Sequence, residues 1–333
     1  MPTNDPSLSA IMSERRRLIN LAYRLLGSLS EAEDVVQETY VRWYALSRPQ
    51  QEAVESVGGW MTTVASRICL NLLASARSRR ERYVGQWIPE PLPEPGERPV
   101  ADPADQVTLD ESVNMAFLVV LEAMTPAERV AFVLHDVFRY SFAEVAEIVG
   151  RTPAACRQLA SSARRRVRDA RPAAPAGVDA GVHWGVHRGV HQGVPRGVHA
   201  AVDQAGLVAA FKRAWQAKDI AALIAILDPA VTATGDGGGL VSAVPGPVEG
   251  RERVARLLID LAAAAPGLTM REHAVNGRPG LVAQHGGTTV AVYAFDVAGE
   301  RIRHIWVVRN PDKLRPWTAG ARSAVTIAGP GPS

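Results

Sequence analysis

Two runs of arginine in this sequence have the chemistry to hold phosphate. Arg77, Arg79, Arg80 and Arg82 stand against Glu81 alone, and residues 151–171 carry seven arginines against Asp169. A guanidinium presents a rigid fork of donors that suits phosphate oxygens, so clusters of one sign point to a polyanionic partner. Solvated charge on a helix face is the plainer reading of either cluster alone. Between them, residues 88–111 hold Glu90, Glu94, Glu97, Asp102, Asp105, Asp110 and Glu111 against Arg98 in a proline-rich stretch, which reads as an acidic linker. Catalytic chemistry has less support. Asp236, His273, Asp296 and His304 could each move a proton, but no spacing joins them, and no catalytic residue is assigned. His183, His187, His191 and His199 recur in a Gly-Val-His repeat. Imidazoles can ligate a divalent cation, yet the repeat brings no scaffold, so a flexible spacer is expected, with no metal and no cofactor.

The elements that must position these groups follow from periodicity. Leu18, Leu21, Ala22, Leu25 and Leu26 recur at three- and four-residue spacing in a helical stretch, 13–47, that Gly27-Ser28 breaks. Ser30 and Glu33 have capping-box spacing and are expected to start the second helix. Val35, Val36, Thr39, Tyr40, Trp43 and Tyr44 lie on or near its buried side, which leaves Asp34, Gln37 and Glu38 on the exposed face. Residues 60–80 form a further helix with Met61, Val64, Ile68, Leu72 and Leu73 inward. After the linker come a helix over 112–124, a Thr125-Pro126 cap and a helix over 127–138. A short amphipathic helix over 142–149 then stops at Gly150, and Thr152-Pro153 starts another with Cys156, Leu159, Ala160 and Ala163 inward.

Helix, glycine turn and capped helix make a helix-turn-helix pattern. Its second helix would present Arg151, Thr152, Ala154, Arg157, Gln158 and Ser161 to base edges, with Arg164, Arg165 and Arg168 meeting phosphates. An ordinary helical hairpin with a basic surface is the alternative.

From residue 201 the composition changes. Helices over 205–217 and 220–227 precede Val231-Thr-Ala-Thr and a helix over 251–264. Strands follow at 268–275, 281–285, 288–296 and 302–309, with tight hairpins at Gly286-Gly287 and Ala298-Gly299. This is an α+β arrangement in which helices cover one face of a curved antiparallel sheet, and an apolar pocket near Trp215, Tyr293 and Trp306 could take a small molecule. A chain of 333 residues that is 47% hydrophobic can build several cores. No apolar run is long enough to span a membrane and the N-terminus lacks a signal-peptide pattern, so a cytoplasmic location is expected.

Residues 13–83 and 110–168 resemble regions 2 and 4 of extracytoplasmic-function sigma factors, the promoter-recognition subunits of bacterial RNA polymerase. Ala32-Glu-Asp34-Val-Val-Gln37-Glu38 is similar to the region 2 helix that docks on core polymerase. Gly59-Trp60 to Asn71 is similar to the part that melts and reads the minus-ten element, and the helix-turn-helix to the part that reads the minus-thirty-five element. The resemblance implies roles for Trp60, Arg67, Asn71, Arg77 and Arg80 in holding a single strand. Trp87-Ile88-Pro89-Glu90-Pro91-Leu92 resembles the linker signature of a subgroup with a fused SnoaL-like (nuclear transport factor 2-like) extension. Asp236-Gly237-Gly238-Gly239 and Asn310-Pro311-Asp312-Lys313-Leu314 resemble the two signatures of that extension, with Leu240 where relatives carry Lys. The implied order is region 2 (13–83), acidic linker (84–109), region 4 (110–171), repeat linker (172–200), SnoaL-like regulatory domain (201–316) and tail (317–333). Core polymerase and promoter DNA are the implied partners, and the linker and extension signatures the implied regulatory contact. Two other readings stand beside this one: a ligand-responsive helix-turn-helix regulator, and a SnoaL-like enzyme.

Overall fold

The computed structural model describes residues 6–80, 83, 85–94, 113–170 and 196–318, without the side chains of 6–13, 76–80 and 196–203. The chain divides into two compact units, Met1–Arg82 with Val107–Gln192, and Tyr83–Gln106 with Gly193–Ser333.

The first unit is helical. α1 (Pro6–Leu26), α2 (Leu29–Tyr44) and α4 (Val57–Arg80) bury Leu18, Leu21, Leu25, Val36, Met61 and Leu73, and the short α3 (Arg48–Glu52) links the last two. Gly27 adopts φ +70 and closes α1 by donating its N–H to the Tyr23 carbonyl. Ser28 is then the first residue left extended, and its hydroxyl accepts the Glu31 amide. The cap of α2 is therefore Ser28, not the expected Ser30. Tyr44 departs from expectation too, since it is exposed along with Val41.

α5 (Met115–Glu122) and α6 (Pro126–Phe132) follow, the latter with the expected Thr125 capping box closed by Glu128. The helix expected to run to 138 changes to a π-helical turn at Val133–Val137, with the Phe138 amide bonded to the Val133 carbonyl. α7 (Phe142–Val149) is capped by Ser141 and ends at Gly150, φ +69. α8 (Pro153–Asp169) buries Cys156, Ala160 and Ala163, small side chains that let it lie close on α6 and α7. The second helical group is tied to the first through Arg129. This buried guanidinium donates to the Leu25 carbonyl at 2.9 Å and to Glu122 at 2.7 Å. Burial lowers its pKa to about 9, so it stays charged at neutral pH.

The second unit is α+β. α9 (Arg196–Ala217) starts earlier than expected, inside the stretch read as a flexible repeat linker; the rest of that repeat lies outside the described residues. α9, α10 (Ile220–Ile226) and α11 (Arg251–Ala264) cover one face of a six-stranded sheet. Its strands are β1 (Leu227–Asp236), β2 (Val248–Glu249), β3 (Leu268–Val275), β4 (Arg278–His285), β5 (Thr288–Ala298) and β6 (Arg301–Val308), in the order β2-β1-β6-β5-β4-β3. The sheet is not wholly antiparallel, because β1 runs parallel to β6. A parallel pair needs a long crossover, and here the helix and four strands between β1 and β6 supply it.

Side chains alternate across the sheet. Phe211, Trp215, Leu258, Leu281, Tyr293, Phe295 and Ile305 form the core on the helical face. Val282, Val292, Ala294, Trp306 and Val308 point to the opposite face and are also buried. A 3₁₀ turn (Pro311–Leu314) and α12 (Arg315–Thr318) pack against β5. Trp215 and Tyr293 thus lie on the face opposite to Trp306, and the three do not line a common pocket. Among the described residues no helix is long and apolar enough to cross a membrane.

Candidate functional site

In the second unit the linker residues meet the two loops of the sheet domain. Asp236, at the end of β1, is 0% exposed, and every direction around its carboxylate is occupied by a donor. Oδ1 accepts from the Tyr83 hydroxyl at 2.6 Å and from the Gly238 amide at 3.0 Å. Oδ2 accepts from the Ile88 amide at 3.0 Å and from Lys313 Nζ at 2.7 Å. Its backbone carbonyl takes the amides of Arg309 and Asn310. Lys313, itself buried, also donates to the Ile88 carbonyl and sits 4.0 Å from the centre of the Trp87 ring. Burial foremost, then the bond to Asp236, pushes the Tyr83 hydroxyl far above its ordinary pKa, so it stays a donor.

The glycines after Asp236 are there because nothing larger fits. A Cβ on Gly237 would fall 2.1 Å from the Val241 carbonyl oxygen, and one on Gly238, φ +65, 2.4 Å from Asn310 Nδ2. Asn310 closes the arrangement: its amide nitrogen donates to Tyr83 and its Oδ1 accepts the Asp312 amide, which starts the 3₁₀ turn. Leu240, the departure from the family pattern, is exposed and takes no part. The cation at Asp236 comes from Lys313.

The expected linker residues Pro89, Glu90, Pro91 and Leu92 are buried along with Ile88, while Trp87 is half-buried under Lys313. Three residues that sequence reasoning did not single out complete the clamp. Tyr83 falls at the end of the stretch that resembles region 2. Asn276, φ +52 in the turn after β3, exchanges two bonds with Leu92: its Oδ1 accepts the Leu92 amide and its own amide donates to the Leu92 carbonyl. Trp317, in the segment read as tail, donates its indole N–H to the Pro91 carbonyl at 2.8 Å. The Asn276-Gly277 pair, a common turn dipeptide, was the available signal for the second of these. Residues 95–112 of the acidic linker lie outside the described residues.

In the first unit, Asp34, Gln37 and Glu38 share an exposed face of α2 that continues to Val41 and Tyr44, with Glu38 paired to Arg42 at 3.0 Å. On α4, Trp60 is half-buried with its ring edge-on to Trp43 at 5.2 Å, and Asn71 is exposed. Arg67 is exposed and donates to the Glu147 carbonyl of α7 at 2.9 Å. Arg77 and Arg80 belong to α4, but their side chains lie outside the described residues.

Arg151 in the turn before α8, and Ala154, Arg157, Gln158, Ser161, Arg165 and Arg168 on it, are exposed, with Arg157 resting over the Phe142 ring. Two residues also serve the fold. The Thr152 hydroxyl caps α8. Arg164, partly exposed, is paired at 2.7 Å to Asp136 on the π-helical turn.

The four groups weighed for proton transfer do not converge. Asp236 is saturated by the linker, His273 meets the edge of Trp317, and His304 stacks on Trp306 with Nδ1 3.6 Å from Asp296.

The comparisons agree with this layout. Residues 10–79 match the model of sigma-70 region 2, and residues 114–167 that of sigma-70 region 4. The chain is 36% identical over 310 residues to the ECF RNA polymerase sigma factor SigJ of Mycobacterium tuberculosis, covering 90% of each. It is 32% identical over 324 residues to the probable ECF RNA polymerase sigma factor SigI of the same species, covering 96% of this chain and 98% of that one. The crystal structure of M. tuberculosis SigJ superposes with a TM-score of 0.67 at 30% identity, over 93% of this chain and 98% of that chain.

Proposed function

Because the chain belongs to the extracytoplasmic-function RNA polymerase sigma factors, which bind core polymerase and direct it to promoters, we propose that its C-terminal α+β unit governs that activity in cis by holding the interdomain linker. The observation that carries this reading is Asp236, a buried carboxylate whose side-chain bonds go chiefly to linker groups and to the lysine that also grips the linker. A domain in the same chain acts at high effective concentration, so a modest preference for the held linker is enough to bias the chain between two states. Run-off transcription with core polymerase, comparing the full chain with an Asp236→Asn variant, tests it. Equal output and equal start-site choice would count against regulation by this contact.

The site residues take their roles from the same reading. The Asp34, Gln37 and Glu38 face of α2 docks on a basic surface of core polymerase. Glu38 is exposed and its pair with Arg42 is worth little in water. Glu38→Arg is therefore expected to leave the melting curve in place and to weaken co-elution with core polymerase; unchanged assembly would remove this face from the interface. On α4, Trp60, Arg67, Asn71, Arg77 and Arg80 face the melted minus-ten strand.

On α8, Arg157 and Gln158 read bases in the minus-thirty-five element, while Arg165 and Arg168 hold phosphates. Arg165→Ala with Arg168→Ala is expected to weaken binding to different promoters about equally and to lower the slope of log affinity against log salt by about 2. Arg157→Ala is expected instead to change which promoters are preferred. A salt slope unmoved by the double variant would show that these arginines do not reach DNA.

A further inference from the structure

The turn that clamps the linker has a second side. Leu314, Asp312 and Arg315, with Trp317 of α12, line an open cleft of about 1030 Å³ that Arg271 of β3 and Arg309 also line. All its lining residues belong to the sheet unit, and it lies away from the helix-covered face where the core is packed. Its charge is unbalanced. Three guanidinium groups face it with one carboxylate, Asp312, and that carboxylate is already bonded to Arg315 at 2.6 Å. Arg309 donates to the Ser242 carbonyl, which neutralises nothing. Arg271 is exposed and has no hydrogen bond or ion pair to any of the described residues.

A concave wall concentrates such a field, and a guanidinium fork fits a carboxylate or a phosphate group. The rest of the lining, Trp317 and Leu314 among it, is largely apolar, which suits a hydrocarbon or ring. We propose that this cleft is a receptor site for a small amphipathic organic acid, with its anionic head on Arg271 and Arg309 and its apolar body against Trp317 and Leu314. The occupant would touch the reverse side of the clamp, because the Trp317 indole holds Pro91 and Lys313, the neighbour of Leu314, holds Ile88. That coupling rests on the regulatory reading above, whereas the binding itself does not.

Calorimetric titration of the full chain is the test, with octanoate and octyl phosphate as probes and octanol and inorganic phosphate as controls. The expected result is one site that takes either acid at least about tenfold more tightly than octanol or phosphate alone. Arg271→Glu, a change at an exposed position, is expected to weaken octanoate by about tenfold with the melting curve unmoved, since it replaces an attraction by a repulsion. Octanol binding as tightly as octanoate, no binding of either acid, or an Arg271→Glu variant with unchanged affinity would each overturn the site. The readout involves neither polymerase nor promoter, so its failure is distinct from failure of the transcription assay.

Discussion

Asp236→Asn is expected to release the linker from the sheet unit at a cost of about 3–5 kcal/mol, the usual consequence of removing one partner from a buried ion pair. The change is nearly isosteric, but it cannot be accommodated. Asp236 accepts four hydrogen bonds, two on each oxygen. An amide must turn its NH₂ toward one of those pairs of donors, either Tyr83 and Gly238 or Ile88 and Lys313. In both orientations Lys313 loses its counter-charge while buried. Hydrogen exchange of residues 85–94 reads the release, and protection equal to the parent would show that Asp236 does not hold the linker. Lys313→Met offers a second measurement. It removes the charge and keeps an apolar chain over Trp87, so combining it with Asp236→Asn should cost less than the sum of the two.

The second large effect is expected at Arg129. Arg129→Met keeps the length of the side chain but removes the donors that serve the Leu25 carbonyl at the end of α1 and the Glu122 carboxylate at the end of α5. The Leu25 carbonyl then remains buried and Glu122 partly buried without the guanidinium, and the helical unit should lose about 3–5 kcal/mol. Denaturant unfolding followed by circular dichroism measures this as a lower midpoint. A loss below about 1 kcal/mol would show that the contact between α1 and the α5–α6 corner is held by apolar packing alone.

Local chemistry was the legible part of this fold. Thr125-Pro126, Gly150 and Thr152-Pro153 begin or end helices because caps and left-handed glycines act over three or four residues, a range that sequence spacing reports directly. Ser30 misled because two serines flank the start of α2, and the choice between them depends on where Gly27 closes the preceding helix. The candidate site was legible through its motifs: Asp236 and Lys313 do meet the Trp87–Leu92 segment, Gly238 and Asn310 packing around them. Asn276 and Trp317 were not, since each acts on linker carbonyl or amide groups more than 180 residues away in the chain, and backbone partners leave no pattern in side-chain types. The ion pair of Arg164 was not legible for a similar reason: its carboxylate partner lies on a π-helical turn that helical periodicity alone does not foretell.

The stretch from Tyr83 to Leu92 is seized by a domain that follows it by more than a hundred residues, yet in sequence it is the leash between α4 and α5. Fully drawn out, the 34 residues between those helices reach about 110–120 Å. With the chain fastened as far as Leu92, 22 residues remain between the clamp and α5, a contour of about 75 Å. On the regulatory reading proposed above, opening or closing the clamp would change the length of tether between α4 and α5 without altering either helix.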